Sequence, residues 1–266
     1  MTPAASKVLA VLYSSGGLGD VGRHAVAAAL EKPPSVISKI KVITKDPNKT
    51  LFEETNWNCG CPEGHVLTDE DKSRLEIIPF DFSKRGGEND LGNHLDGVDA
   101  IVSGLGNRQP FHGDRVAKRG TGRLIDAMKG TNIKRLVMIS SIGIDDDWPP
   151  MEWRFEGKIM KWLFKTLCRR EYSDLLGAER AVRQGHKENP DLNYLIIRPV
   201  GIGEKKEPVG KWYFQKEKHV DWVGPNVAKM DVARCMVQEA LGPSRNCEAL
   251  VIGAKPGKKD ESMSDY

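Results

Sequence analysis

The sequence has 266 residues, of which 39% are hydrophobic and 29% are charged, and this suits one large soluble domain. Its 40 Lys and Arg residues against 37 Asp and Glu residues give a formal net charge of +3, which excludes a strongly electrostatic nucleic-acid binder. No apolar run approaches the roughly 20 residues that span a bilayer, so no transmembrane segment is expected.

The cysteines are odd in number and scattered along the chain. They are Cys59, Cys61, Cys168, Cys235 and Cys247. Such a set predicts no disulfide framework and favours a reducing compartment. Cys59-Gly60-Cys61 lacks the two-residue spacer of common zinc sites, and with His65 it offers only three ligands, so we predict an ordinary loop and no metal. We expect a cytoplasmic location; the alternative is a plastid or mitochondrial one after removal of a presequence.

Short apolar runs alternate with helical stretches along the chain. The runs predict strands at Val8–Tyr13, Ile40–Thr44, Leu75–Phe80, Asp99–Ser103, Arg135–Ser140, Asn193–Ile197 and Ala249–Gly253. Helices are predicted at about Val21–Leu30, from Asp46, and at Arg115–Lys129, Trp153–Arg170, Ser173–Gln184 and Val227–Leu241. This alternation predicts an α/β fold with a doubly wound parallel sheet.

We predict one domain over residues 5–254, with two departures from plain alternation. The polar stretch Thr55–Arg74, which contains Gly, Pro and two cysteines, is interpreted as an inserted surface loop. Segments at about 145–170 and 203–225 would form a small C-terminal substrate-side region. The charged residues 255–266 are expected to be a flexible tail.

The strongest motif is a glycine loop between the first strand and the first helix. Gly16, Gly19 and Gly22 follow a G-x-x-G-x-x-G spacing. Glycine allows a tight turn, lets backbone N–H groups approach a pyrophosphate and lets helix and strand pack closely, and the helix N-terminus favours an anion. These three glycines, Asp20 and Val21 are therefore predicted to bind a dinucleotide. The alternative is a glycine-rich turn in another kind of α/β protein.

The end of the second strand bears on which dinucleotide is bound. Folds that select NAD usually place an acidic residue there, which accepts from the ribose 2′-OH. Here the strand ends at Lys45, and Lys49 follows. Cations suit a 2′-phosphate, so NADP is favoured over NAD. Asp46, before Pro47, is interpreted as a helix cap, and a solvated surface is the alternative for the two lysines.

Several segments, taken together, give the chain a family likeness. They are the glycine loop, Val42–Lys49, Phe80–Phe82, Gly97–Gly106, Ile133–Gly143, Tyr194–Pro199 and Lys229–Ala233. In their order and spacing the chain resembles the atypical short-chain dehydrogenase/reductase superfamily, in the NAD(P)-binding branch that includes NmrA-like proteins and biliverdin/flavin reductase B. The resemblance implies a Rossmann-type fold over almost the whole chain.

The resemblance also implies cofactor contacts beyond the carboxyl ends of the strands, where ligands bind in open α/β sheets. The implied positions are Asp81 and Phe82 at the adenine, Ser103, Gly104 and Gly106 at the fourth strand's end, Ser140 and Ser141 near the nicotinamide, and Pro199, Val200 and Ile202 at the carboxamide. Each has a plainer alternative: Asp81 would cap a turn, and the serine pair would simply end a strand.

The superfamily's usual catalytic pair, a Tyr with a Lys four residues on, is absent. None of the five tyrosines has that partner. Three interpretations stay open. The acceptor, such as a flavin or quinone, needs little acid from the enzyme; or Ser141, Tyr172 or His112 donates the proton; or the protein binds NADP without chemistry. Ser141 and Tyr172 are our candidate catalytic residues.

The substrate-side segments are rich in aromatic and basic residues. In Trp153–Arg170 an apolar stripe stands beside several lysines, which predicts a helix packed on its own domain; a membrane surface, a homodimer contact or another protein partner is the alternative. Trp212, Tyr213 and Phe214 would meet a ring-containing substrate or form the packed face of a hairpin.

These observations together favour an NADP(H)-dependent reductase that acts on an apolar or ring-containing small molecule. Two alternatives remain from other classes: an NADP(H)-binding sensor without turnover, supported by the missing Tyr–Lys pair, and a scaffold subunit of a larger assembly.

Overall fold

The fold is known here from a computed structural model. It describes residues 6–14, 18–45, 47, 68–84, 88–106, 116–144, 162, 165–203, 208–214 and 226–254. The strands are β1 (Lys7–Tyr13), β2 (Ile37–Thr44), β3 (Leu75–Pro79), β4 (Ala100–Gly104), β5 (Arg135–Ile139), β6 (Asn193–Pro199), β7 (Ile202–Gly203), β8 (Tyr213–Phe214), β9 (Val227–Ala228) and β10 (Glu248–Gly253). The helices are α1 (Leu18–Leu30), α2 (Asp69–Arg74), α3 (Glu88–His94), α4 (Val116–Met128), α5 (Arg169–Glu188) and α6 (Lys229–Leu241).

Eight strands form the main sheet, in the order β3-β2-β1-β4-β5-β6-β10-β8. All neighbours are parallel except β8, which runs antiparallel to β10. The strand order reverses at β1, which lies between β2 and β4. This reversal is the switch point at which open α/β sheets bind their ligands. The predicted Rossmann-type α/β fold is confirmed.

Helices cover both faces of the sheet, because the central strands are apolar on both sides. One core contains side chains of α1 and α6 packed on the sheet. The other contains side chains of α3, α4 and α5. Every residue of β4 and β5 is buried, as expected for strands in the middle of a doubly wound sheet.

The predicted inserted loop at 55–74 is wrong at its C-terminal end. Asp69–Arg74 form α2, which Thr68 begins with a capping box shared with Asp71. The side chain of Arg74 is buried and donates to the carbonyls of Lys32 (2.8 Å) and Ile37 (2.9 Å) after α1. This charged segment therefore forms a helix that is tied to the rest of the fold, because Arg74 donates hydrogen bonds to carbonyl groups that follow α1. Residues 55–67 lie outside the described residues.

Other boundaries also differ from the sequence-based expectation. The helix predicted to end at Gln184 continues to Glu188 and begins at Arg169, within the range expected for the preceding helix. Val227–Ala228 were expected to be helical, yet they pair with β7 as β9. None of the described helices combines the length and apolar composition that crossing a bilayer requires.

Candidate functional site

The glycine loop leads into α1 at the switch point of the sheet. Gly16 lies outside the described residues, whereas Gly19 and Asp20 belong to the first turn of α1. Val21 is buried in the core between α1 and the sheet, so its side chain supports the turn from beneath. The amino end of α1 thus begins beside the carboxyl end of β1, a place where helix N–H groups attract anions.

Gly22 explains why this helix can come so close to β1. A Cβ at this position would overlap the Cβ of Tyr13 and lie 3.0 Å from its Cγ. Tyr13 is the last residue of β1 and is buried. This is the close helix–strand packing that the third glycine of a dinucleotide-binding loop permits, and it is the first sign that the residues fit such a ligand.

The loops after β1 and β4 are joined by Ser14, a residue that sequence reasoning missed. Its hydroxyl donates to the carbonyl of Gly106 and accepts from the Gly106 N–H at 3.4 Å. Gly104, at the end of β4, lies opposite Tyr13 in register. The only available sequence signal for Ser14 was its position directly before the glycine loop. Gly104 and Gly106, which were predicted to contact the cofactor, therefore lie close to the residues that precede the glycine loop.

Ser103 was also predicted to line the cofactor. It is buried near the carboxyl end of β4, and its Oγ has no hydrogen-bond partner among the residues that the structure describes. A buried hydroxyl without a partner is uncommon in folded proteins. Its register partners Leu12 and Met138 belong to the buried core, so the hydroxyl faces the interior, and a contact of Ser103 with a cofactor would be through its main chain.

Lys45 and Asp81 meet at the ends of β2 and β3. The Lys45 ammonium is 3.5 Å from Oδ2 of Asp81. The Asp81 Oδ1 accepts from the N–H (2.9 Å) and hydroxyl (2.6 Å) of Ser83. Burial raises the pKa of Asp81, but the Ser83 hydrogen bonds and the Lys45 charge outweigh burial and leave it below its usual value. Asp81 is therefore a fixed carboxylate. Lys49 lies outside the described residues.

Two arginines of α4 hold the turn that carries Asp81. Arg123 donates to the carbonyls of Asp81 (3.2 Å) and Lys84 (2.9 Å), and its guanidinium lies 4.6 Å from the centroid of the Phe80 ring. Arg119 donates to the carbonyl of Ser83. Sequence reasoning missed both arginines, since nothing in a helical stretch shows which loop its side chains reach.

Phe82 is committed to the core. Its side chain is 1% exposed and packs edge-to-face on Phe80 with ring centroids 4.9 Å apart. A Cβ on Gly120 of α4 would come within 3.2 Å of the Phe82 Cβ. The predicted adenine contact at this position would therefore have to use the main chain, because the ring is packed between the sheet and α4.

The ends of β5 and β6 are joined, which brings the residues predicted at the nicotinamide together. The Ser140 N–H donates to the carbonyl of Ile197 (2.7 Å), and the Ile142 N–H donates to that of Pro199 (3.2 Å). The N–H of Val200 donates to Ile252 of β10 at 3.0 Å. The Ser140 side chain points into the protein, where its hydroxyl donates to Oε1 of Glu179 at 2.6 Å.

The two candidate catalytic residues are both partly exposed. The Ser141 hydroxyl makes one long contact, 3.5 Å to the carbonyl of Ile142. Tyr172 lies in the first turns of α5, and the Lys165 ammonium is 5.4 Å from its ring centroid. Glu179, seven residues later on the same helix face, reaches Ser140 at the end of β5. Tyr172 therefore stands about 10 Å nearer the amino end of α5, where it packs against the core. His112 lies outside the described residues.

The segment after β6 is built differently from the expected aromatic wall. Trp212 and Phe214 are buried in the core against α6, which answers the open question in favour of a packed face. Asp231 of α6 accepts from the N–H groups of Val209 and Gly210, each at 3.0 Å. Ile202 belongs to β7 and is partly exposed.

A groove of about 1090 Å³ opens elsewhere, beside the amino ends of β4, β5 and β6. Asp99, Arg135 and Asn193 are among its lining residues. It lies at the sheet edge opposite to the one where parallel sheets bind ligands, so it is not the dinucleotide site. Among the described residues, no group of three or more His, Cys, Asp or Glu side chains is arranged to hold a metal ion.

Sequence comparison decides the family. A family model described as NAD(P)H-binding matches residues 63–243, more than half of the chain. The chain belongs to the NAD(P)H-binding family. This confirms the resemblance to the atypical short-chain dehydrogenase/reductases. The matched range begins after the glycine loop and does not include it. No curated protein has a significant match to the chain.

Solved structures show the same fold across nearly the full length. One is a short-chain dehydrogenase/reductase (wide type) from Veillonella parvula in complex with NADP, 15% identical, covering 98% of this chain and 97% of that one, with a TM-score of 0.62. Another is a Rossmann-fold NAD(P)-binding family protein from Shigella flexneri. It is 18% identical, the match covers 98% of each chain, and the TM-score is 0.56. A third is ChuY, an anaerobillin reductase from Escherichia coli O157:H7. It is 16% identical, the match covers 95% of this chain and 99% of that one, and the TM-score is 0.58.

Proposed function

We propose that this NAD(P)H-binding protein is an NADP(H)-dependent reductase, with the dinucleotide across the carboxyl ends of the strands. The observation that carries the proposal is the β1–α1 junction at the switch point, where Gly22 lies against Tyr13. Such a junction directs main-chain N–H groups and a helix N-terminus toward one point, where related folds bind a diphosphate. Gly16, Gly19 and Asp20 would contact that diphosphate.

Lys45 and Lys49 would bind the 2′-phosphate that distinguishes NADP from NAD. The Lys45 side chain is 46% exposed and reaches from the end of β2 toward Asp81 after β3. In the free protein Asp81 gives this ammonium a counter-charge, and a 2′-phosphate would compete for it. An NAD-selecting fold would instead offer a carboxylate at the end of β2.

The nicotinamide would lie over the joined ends of β5 and β6. Ser140, Pro199 and Val200 would position it through their main chain, since the Ser140 hydroxyl is used inside the protein. Bound NADPH supplies a hydride, and the protein has to orient the acceptor and exclude competing reactions. The proton would come from Tyr172, from Ser141 or from water.

The acceptor would be apolar or ring-containing. Aromatic side chains in or next to the predicted substrate-side segments support this: Trp162 is 63% exposed, and Tyr172 and Tyr213 are partly exposed. Flat ring systems stack on such side chains. Because one structural neighbour is an anaerobillin reductase, linear tetrapyrroles belong among the acceptors to test.

The test is an acceptor screen with NADPH. Purified protein is mixed with NADPH and, separately, a flavin, a quinone, an aldehyde and a linear tetrapyrrole, and the absorbance of reduced nicotinamide is followed. We expect turnover with at least one ring-containing acceptor and its loss in a Gly19→Trp variant, whose indole would fill the phosphate loop. Turnover that survives in Gly19→Trp would contradict the proposed site.

A second candidate function is an NADP(H) sensor without turnover. The specific observation in its favour is that Leu176 of α5 stands four residues after Tyr172, where the superfamily's usual lysine would be. The Leu176 side chain packs against the core. Tight binding of NADPH combined with no turnover across the same screen would favour the sensor over the reductase.

A further inference from the structure

We propose that Glu179 is a positioning residue for the nicotinamide end of the site. Its carboxylate joins the ends of β5 and β6 to α5, and so sets where Ser141, Val200 and Tyr172 stand relative to one another. This inference rests on the proposed function, in which the nicotinamide half of NADP(H) binds at those three positions.

The contacts centre on the carboxylate of Glu179. Glu179 Oε1 accepts from the Ser140 hydroxyl (2.6 Å) and from Arg198 Nε (3.0 Å), and Oε2 accepts from Arg198 Nη2 (2.6 Å). Arg183 adds a further cation 3.3 Å from Oε2. Ser140, Glu179 and Arg198 are each 0% exposed. The guanidinium and carboxylate meet through two parallel hydrogen bonds, the geometry that fixes orientation as well as distance.

Each arm of the cluster ends next to a candidate site residue. Ser140 is followed directly by Ser141. Arg198 is followed by Pro199 and Val200, whose main chain continues into β7. The carboxylate itself belongs to α5, two helical turns after Tyr172 on the same face. Glu179 contacts none of these three positions itself, but it holds their chain neighbours Ser140 and Arg198, so moving its carboxylate would displace all three.

Stability alone does not account for such a cluster. Removing two charges from water costs about as much as their attraction returns, and replacing a buried ion pair with apolar residues is often neutral. What the pair does supply is a fixed geometry between three elements. Reaction rates and contacts with a bound ring depend strongly on that geometry.

The protein contains a matched control pair. Arg135 and Glu239 are also buried, with 7% and 6% of their side chains exposed, and lie 3.5 Å apart. This pair stands at the amino end of β5, on the sheet edge opposite to the proposed site. A substitution there perturbs a buried ion pair without touching the nicotinamide end.

The experiment compares Glu179→Gln and Glu239→Gln with the unmodified protein by calorimetric titration. Two ligands are used: NADPH, and adenosine 2′,5′-bisphosphate, which lacks the nicotinamide half. We expect Glu179→Gln to weaken NADPH binding about fivefold, the worth of one hydrogen bond, while bisphosphate binding changes less than about twofold. Glu239→Gln should leave both affinities unchanged. A purely structural role would shift both ligands together or neither, and either result overturns the inference.

A double variant guards against misfolding of the single one. Glu179→Leu with Arg198→Met replaces the pair with apolar side chains of similar size, which buried sites tolerate. We expect it to fold and to show the same selective loss of NADPH affinity; unchanged affinity would overturn the positioning role. If the unmodified protein binds neither ligand, the proposed function itself fails, and this outcome is distinct from a protein that binds both while Glu179→Gln has no effect.

Discussion

Gly22 of α1 and Tyr13 of β1 are in direct contact, with no space between them for a side chain. A Cβ at position 22 would overlap the Tyr13 Cβ. The contact lies at the switch point and is made by the third glycine of the loop, so it determines how close the helix N-terminus comes to the strand end. Both the fold and the proposed phosphate site depend on this approach.

Gly22→Ala is expected to lower the free energy of unfolding by about 1–3 kcal/mol, because an added methyl group in a packed core forces strand and helix apart. NADPH affinity should fall as well. Urea unfolding measures the first effect. Gly122→Ala in α4 is the control: a Cβ there has nothing within 4 Å, and alanine should stabilise the helix by about 0.5–1 kcal/mol. Equal effects of the two substitutions would contradict the packing argument.

Lys45→Ala is expected to weaken NADPH binding about tenfold and to leave NADH binding nearly unchanged, since only NADPH carries the 2′-phosphate. Lys39 offers a matched control, because it is equally exposed at 46% and is likewise paired with a carboxylate, that of Glu76 in β3 at 2.5 Å. Lys39→Ala should alter neither affinity. If Lys45→Ala weakened both dinucleotides equally, Lys45 would not select NADP.

Ionisation of the buried Tyr13 is expected to lower the stability of the protein at alkaline pH. Burial raises its pKa to about 12, against the opposing charge of Arg23, from an ordinary value of 10.0. Since the folded-state pKa is the higher one, the stability contribution is present below pH 10 and is lost as the pH rises toward about 12. Tyr13→Phe should reduce the loss of unfolding free energy over that window by an amount on the order of 2 kcal/mol. Identical pH profiles for the two proteins would be the contrary result.

Asp174 is expected to act as the cap of α4. Its carboxylate accepts from the N–H groups of Ala117 (3.0 Å) and Lys118 (2.9 Å), although it belongs to α5. Asp174→Ala should cost about 1–2 kcal/mol in thermal or urea unfolding. The control is Asp126→Ala in α4, which removes an exposed ion pair with Lys129. It should change the unfolding free energy by less than about 0.5 kcal/mol. Comparable losses would show that Asp174 does not cap the helix.

The sequence allowed the sheet to be predicted because its central strands are buried on both faces. β4 and β5 are therefore continuous apolar runs, and the glycine loop marks the first crossover. The two-residue strands β7, β8 and β9 carry no such signal, because two residues show no periodicity. α2 was missed because its charged residues act through a cap and through Arg74, whose carbonyl partners lie after another helix.

The candidate site was predictable only where it follows strand ends. Lys45 was predicted from its position after β2, and the family resemblance implied Asp81 after β3 and Ser140 after β5. Their partners could not be predicted, since Arg123 and Glu179 lie on helices whose side-chain targets depend on how the helices pack. For the same reason Trp212 and Phe214 could not be divided between core and pocket before the fold was known.

The most direct measurement of the central claim is a calorimetric titration of the unmodified protein with NADPH and with NADH, accompanied by thermal unfolding at saturating ligand. Binding of about one NADPH per chain, tighter than NADH and with a clear rise in the unfolding temperature, is the predicted result. The absence of both heat and thermal stabilisation with either nucleotide would contradict the claim.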